Sequence, residues 1–339
     1  MPKRRKIPTP VWERDHGAIS RPFAGRSPRF FGAVAVVLLI VAALGLIGFG
    51  FLSDYIQDRN RPGSAALQID DSEYTVREFA SRLKTFVQQS GGAGSQGAQP
   101  QVAIPSLVEQ LIAETVLLRF ASEKEQGATD QEVNEEIAKQ LGVTADDPNF
   151  QTRVQEELVR NGLAEQQYRD KIKATVLFKK LSDKFTAELP AAAESVHYRQ
   201  IQVATLVEAD ALLAQIEAGA DFAELASQKS GDGATKDIGG DAGWVPRGFL
   251  DKATEDALFA LDASHITTFP TETGAFVYQV LEKQADRPLD EDKKSVLSGK
   301  AMQEWLKEKR DGLTITNAMD TTSGDADKIK YVVKHAYTQ

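Results

Sequence analysis

The sequence predicts an α+β protein in which a single membrane-length apolar helix precedes a helical domain and a small domain built on an antiparallel sheet. Three observations carry this reading. Residues 30–52 form an uninterrupted apolar run without a charge. From about Ala66 to Leu189 apolar residues recur at helical spacing behind repeated capping boxes. Between His197 and Glu282, alternating runs bracket helical patterns in the order β-α-α-β-α-β-β within about ninety residues, an arrangement of one compact α+β unit.

The apolar run, FFGAVAVVLLIVAALGLIGFGFL, would be about 35 Å long as a helix and so spans a hydrocarbon core of about 30 Å. A signal peptide has a shorter apolar region, about 7–15 residues, ending at small residues; Phe49, Phe51 and Leu52 make a poor cleavage site. The chain has no cysteine, which excludes a lipoprotein anchor, disulfides, thiolate metal sites and a cysteine nucleophile. Residues 1–29 carry Lys3, Arg4, Arg5, Lys6, Arg14, Arg21, Arg26 and Arg29 against Glu13 and Asp15. Such a basic flank stays in the cytoplasm, so everything after Leu52 is expected outside. The whole chain has a net charge of −9, and subtracting the +6 of residues 1–29 leaves −15 on the exterior part, which argues against a nucleic-acid partner.

The helical domain is expected over residues 66–190. Residues 66–69 are a short extended segment. Thr75 and Glu78 open a first helix as a capping box, with Phe79, Leu83, Phe86 and Val87 at helical spacing. Residues 90–105 are rich in glycine and read as a flexible loop, and Ser106 and Glu109 as the box opening a second helix. Thr129 and Glu132 open a third, and residues 150–189 add two more. Stripes this wide belong to helices that bury against one another and carry no chemistry. The segment order resembles the N-terminal chaperone domain of extracytoplasmic foldases of the SurA and PrsA type, with Ile69-Asp70-Asp71 where that family commonly has Val-Asn-Gly.

In the small domain, residues 197–205 alternate as a strand. Thr205 and Glu208 cap a helix, Phe222 begins another, and Gly239-Gly240 turns the chain toward Trp244. A helix over 250–261 and strands at 267–269 and 275–282 complete the unit. Its His197, the run DFAELA from Asp221 to Ala226, Ser230-Gly231-Asp232, Gly239-Gly240-Asp241-Ala242-Gly243-Trp244 and Gly274-Ala275-Phe276 resemble the parvulin family of peptidyl-prolyl isomerases over residues 194–284. The resemblance implies that His197 belongs to a pair of histidines ordering the active site and that Asp232 faces the reacting carbonyl. By the same resemblance Thr271 is a nearby hydroxyl and Leu250 a wall of the proline pocket. Two positions depart from the pattern: Phe276 replaces the second histidine and Thr254 replaces a pocket phenylalanine. Trp244, Phe249 and Phe269 are the aromatics near enough in sequence to compensate.

The implied chemistry needs no cofactor. Rotation about an X-Pro bond meets a barrier of about 18–20 kcal/mol, set by amide resonance, while its isomers differ by only about 0.5–1 kcal/mol. Catalysis therefore consists of binding the twisted amide better than either planar form. No metal is expected, since His16, His197, His265 and His335 lack ligand spacing and Asp232, Asp237 and Asp241 do not form a calcium loop. Two functions remain open at this point: an isomerase and foldase acting on unfolded exported polypeptides, or a holdase whose degenerate isomerase domain only binds peptide. Residues 289–311 are expected to return as a helix to the helical domain, and residues 312–339 to form a tail with a strand or a helix at Ile329 to Val333.

Overall fold

The computed structural model describes residues 59–92, 94–272 and 274–337. The basic tail and the apolar run at 30–52 lie outside these residues. Among the described residues one helical stretch, Pro100–Lys124, is long and apolar enough to cross a membrane. Its Ile104, Leu107 and Leu111 are fully buried against other elements, so it is the central helix of a packed core.

The helical domain begins with a hairpin, β1 (Ala65–Ile69) and β2 (Ser72–Thr75). Asp70 turns it with φ +49°, a left-handed conformation that Asp tolerates better than most residues. Thr75 then caps α1 (Val76–Gln89), accepting from the Glu78 N–H at 3.2 Å. The expected capping box is only half made, because the Glu78 carboxylate turns inward to Arg82. Arg82 is buried and also donates to Glu114 and to the Gln167 carbonyl, while Gln167 donates back to Glu78. Burial pushes the Glu78 carboxyl upward in pKa even beside this cation. A buried ion pair stabilises only when its remaining hydrogen-bonding capacity is filled, as it is here.

The next helix, α2 (Pro100–Phe120), is capped by Gln99, seven residues before the cap expected at Ser106. Proline at the first helical position loses no bond, since that N–H has no helical acceptor, and the Gln99 carbonyl accepts from both Val102 and Ala103. Ser106 lies within the helix and donates to the Val102 carbonyl. The third helix, α3 (Asp130–Leu141), has the full expected box between Thr129 and Glu132. A hydrogen bond from Lys180 holds the Glu132 carboxyl down at about 2. Then follow α4 (Phe150–Asn161) and α5 (Glu165–Ala187).

The small domain leaves α5 through β3 (Ala192–Val203), α6 (Leu206–Glu217), α7 (Phe222–Lys229), β4 (Asp241–Pro246), α8 (Lys252–Ala260), β5 (Ile266–Thr271) and β6 (Gly274–Pro288). Its strands form an antiparallel sheet in the order β4-β3-β6-β5. Helices α6 and α7 cover one face through Ile201, Leu212, Phe222 and Val277. Helix α8 covers the other through Val196, Tyr198, Leu258, Tyr278 and Val280. The domain is inserted between parts of the helical one, and its two connections meet where Leu289 donates to the Ala191 carbonyl.

Past that joint, α9 (Glu291–Asp311) returns to the helical domain, where Met302 and Trp305 pack with Leu177, Leu181 and Phe185. Residues 312–339, read from sequence as a tail, instead supply β7 (Ile315–Asn317) and α10 (Ala326–Tyr337). Strand β7 adds to β1 in the order β2-β1-β7, and Asp70 accepts from the Thr314 N–H. Helix α10 buries Val332 and Ala336 in the cluster that holds Phe79 and Leu83. The final segment is therefore core. We expect Val332→Asp, which buries an unpaired carboxylate, to destabilise the chain by about 3 kcal/mol or more in urea unfolding; a loss of a few tenths would return residues 312–339 to the status of a tail.

Candidate functional site

Strand β3 decides which side chains share a site. Successive strand residues point to opposite faces, and the irregularities in register lie where the neighbouring strands β4 and β6 each carry an extra residue, not in β3. Val196 and Tyr198 thus face α8, while Ile201 and Val203 face α6 and α7. His197 shares the parity of Ile201, and Gln200 that of Tyr198.

The consequence is that His197 and Asp232 are not neighbours. His197 Nε2 lies 2.8 Å from Asp241 Oδ1, and its ring stacks on Trp244 at 5.4 Å, its register partner on β4. The Arg287 guanidinium covers the Trp244 ring at 4.2 Å. This Arg-Trp-His stack occupies the face opposite to α8. His197 and Trp244, which the sequence reading placed in one site with Asp232, lie on the face opposite Gln200, because His197 and Gln200 are three positions apart on a regular strand.

Asp232 meets Gln200 instead, whose Nε2 donates to Oδ2 at 2.7 Å. Thr235 donates its hydroxyl to the same oxygen, and the Ala234 N–H donates to Oδ1 at 3.0 Å. Partial burial works against the carboxylate, but the hydrogen bonds from Thr235, Gln200 and the local backbone outweigh it and lower its pKa. The loop around it is fixed to β3 at Gln202, whose N–H donates to Ser230 Oγ and whose carbonyl accepts from Gly231. The glycine pair closes the same loop. Gly239 and Gly240 have φ of +71° and +81°, and a Cβ on Gly240 would sit 2.5 Å from the Gln200 carbonyl oxygen. Only glycine lets the chain pass so close to β3 in that conformation.

Around Asp232 the α8-facing side of the sheet is aromatic. Gln200 is in register with Tyr278, and Gln202 with Phe276, which in turn pairs with Phe269 on β5. Phe276 stacks on Tyr278 at 5.3 Å and 7°, and Tyr278 meets Tyr198 edge-on at 5.8 Å. Burial pushes the Tyr278 phenol up to about 12 although Thr254 hydrogen-bonds to it. Burial also raises Tyr198, aided by the neighbouring Tyr278, Asp232 and Asp251. Both phenols are therefore held in the neutral form, with the Asp232 carboxylate near Tyr198.

The remaining expected residues divide. Leu250 is half-buried against this same face, and Thr254 is buried beneath it in the first turn of α8, its N–H donating to the cap Asp251. Thr271 lies in the β5–β6 hairpin and donates to the Gly274 carbonyl, so it serves the turn. Tyr198, Gln200 and Tyr278 were not singled out from the sequence. Their signal was there in the alternation of HYRQIQVAT and in the two-residue step from Phe276 to Tyr278. Among the described residues no group of three His, Cys, Asp or Glu could hold a metal ion.

Comparison with known proteins matches residues 29–182 to a SurA-like N-terminal domain and residues 163–284 to a PPIC-type PPIase domain. A foldase protein PrsA from Caldanaerobacter subterraneus subsp. tengcongensis is 30% identical over 217 residues, covering 61% of this chain and 67% of the relative. A chaperone SurA from Methylococcus capsulatus is 40% identical over 102 residues, 30% of this chain and 22% of the relative. Among solved structures, a PrsA peptidylprolyl isomerase from Bacillus anthracis is 18% identical, covering 69% of this chain and 98% of that one with a TM-score of 0.40.

The lowered pKa of Asp232 gives a pH test. A carboxyl depressed in the folded state contributes stability above its unfolded pKa and loses it as pH falls through the folded value. The stability gap between the native chain and Asp232→Asn should hold steady over about pH 5–8 and narrow below about pH 4. Urea titrations across that range would detect it, and a gap independent of pH would contradict the assigned hydrogen bonds.

Proposed function

The chain belongs to the PrsA/SurA-type foldases that carry a PPIC-type, parvulin-class peptidyl-prolyl isomerase domain, and from that membership we propose that the α8-facing side of the small domain is its catalytic face. The observation that carries the proposal is Asp232, fixed by Gln200 and Thr235 near the buried Tyr198, which meets Tyr278 edge-on. As a foldase and isomerase, the protein assists the folding of exported proteins. The finer reading is that its substrates are unfolded chains containing X-Pro bonds.

On this reading the proline ring lies against Leu250 and the Phe276–Tyr278 stack. A dry wall disfavours the planar, charge-separated resonance form of the amide and so favours rotation. The neutral phenols supply donors to the polar atoms of the twisted amide, and Asp232 supplies a fixed negative field at its carbonyl side. Phe276 cannot hydrogen-bond, so this face works without a histidine. Thr254 weakens the aromatic wall, but its hydroxyl is engaged by Tyr278. His197 and Trp244 take no part in catalysis, and Thr271 serves the hairpin. These same two departures, Phe276 and Thr254, favour the second reading, a holdase that binds peptide without turnover.

The localisation follows from the sequence. Residues 30–52 are proposed as a single-pass anchor with the basic tail in the cytoplasm and the foldase outside. Protease added to intact cells should then remove everything after Leu52, and complete protection would refute the orientation.

A proline-isomerisation assay on the purified chain tests the catalytic face. Asp232→Ala, Tyr278→Phe and Leu250→Ala should each lower kcat/KM by on the order of tenfold to a hundredfold, while His197→Ala and Trp244→Ala leave it unchanged. Loss confined to His197→Ala would move the site to the opposite face. A native chain that gives no acceleration but suppresses client aggregation would establish the holdase.

A further inference from the structure

The loop that carries Leu250 is held from outside its own domain. Lys300 lies on α9 and is half-buried. Its Nζ donates to three successive carbonyls, those of Gly248 at 3.1 Å, Phe249 at 2.6 Å and Leu250 at 3.0 Å. A lysine ammonium has three N–H donors and no acceptor, so these contacts use its full capacity. Three consecutive carbonyls converge on one point only if the backbone curves around it. The curve is made by Gly248 at φ +83°, and a Cβ there would lie 3.2 Å from Leu297 on the same helix. The Gly248 N–H donates to Glu255 on α8, and Arg247 pairs with Glu194 on β3. The loop is thus anchored to its own domain on one side and to α9 on the other.

Helix α9 is not part of the isomerase domain. Two residues beyond Lys300, Met302 is buried with Trp305, one turn later, in the helical core. Farther on, Arg310 grips Glu109 of α2 through both guanidinium nitrogens. One rigid helix therefore runs from the chaperone core to the backbone of the pocket loop. Leu250 immediately precedes Asp251, the cap of α8, and α8 carries Thr254 and Leu258. Whatever fixes carbonyls 248–250 fixes where that wall stands.

We propose that Lys300 is a positioning residue for isomerisation, holding the Leu250 wall in register with Asp232 and the two tyrosines from a helix rooted in the chaperone domain. The inference rests on the reading of Leu250 as pocket wall given above. Lys300 touches no reacting atom and acts through the loop. Its removal should leave folding intact and misplace the wall, and a shift of about 1 Å can cost on the order of a hundredfold in rate.

The test uses the full chain with Lys300→Met, which keeps the apolar stem and removes the donors, together with Leu250→Ala and the double variant. We expect Lys300→Met to lower kcat/KM about ten- to a hundredfold, with unchanged far-UV circular dichroism and unchanged suppression of client aggregation. If Lys300 works through Leu250, the double variant should be no slower than the slower single one, since residues acting as a unit do not add. Amide exchange should quicken at residues 249–254 and stay unaltered in α2 and α5. A normal rate in Lys300→Met beside a slow Leu250→Ala overturns the inference, as does full additivity. If Leu250→Ala itself is normal, the pocket reading fails instead. Exchange then decides Lys300 alone: faster opening at 249–254 supports its hold on the loop, and unchanged protection overturns it.

Discussion

The β3–β6 ladder is the constraint on which the two-domain arrangement depends, because it runs the length of both strands and brings Ala192 opposite Pro288. The helical domain is assembled from segments on either side of the insertion, and α9, β7 and α10 cannot reach it unless the chain comes back to where it left. Closing so long a loop costs conformational entropy. The ladder recovers that cost through its own hydrogen bonds and through the apolar residues it buries on both faces. It also ends at the joint, where Leu289 donates to Ala191, so the return helix starts at a fixed place and direction.

From that fixed start the rest follows in order. Helix α9 packs on α2 and α5 through Met302 and Trp305. Strand β7 then falls beside β1, and α10 covers α1. The same helix passes the pocket loop early in its course, which is why an ammonium on it meets backbone of the inserted domain. Architecture and site are linked by one rigid element rather than by a flexible tether.

The two faces of β3 separate two chemistries. The α8 face holds Tyr198 and Gln200 near Asp232, while the opposite face holds His197, hydrogen-bonded to Asp241 and stacked on Trp244. Much of the fold was legible before any coordinates, since the apolar periodicity announced every helix from α3 to α9 and the caps at Thr129 and Thr205 set the starts of two of them. Residues 90–105 misled because glycine and proline dominate the stretch, yet proline at a helix start is compatible with continuing the helix. The last segment misled because a three-residue strand shows no period by itself. Ile329 to Val333 could be read as either a strand or a helix, and the core it packs against could not be read at all.

The sequence by itself determined the classes of segment in this protein: an uncharged run long enough to span a membrane, a helical domain, and an α+β unit whose glycine pair and Ser-x-Asp loop mark a parvulin-type isomerase. Those properties are local, set by spacing, capping and the conformations that glycine permits. Only the tertiary structure decided that Asp232 is hydrogen-bonded to Gln200 and Thr235, that residues 312–337 supply part of the core, and that Lys300 donates to the carbonyls of the Leu250 loop. Each depends on strand parity or on packing between segments far apart in the chain, and contacts of that kind arise from the fold as a whole.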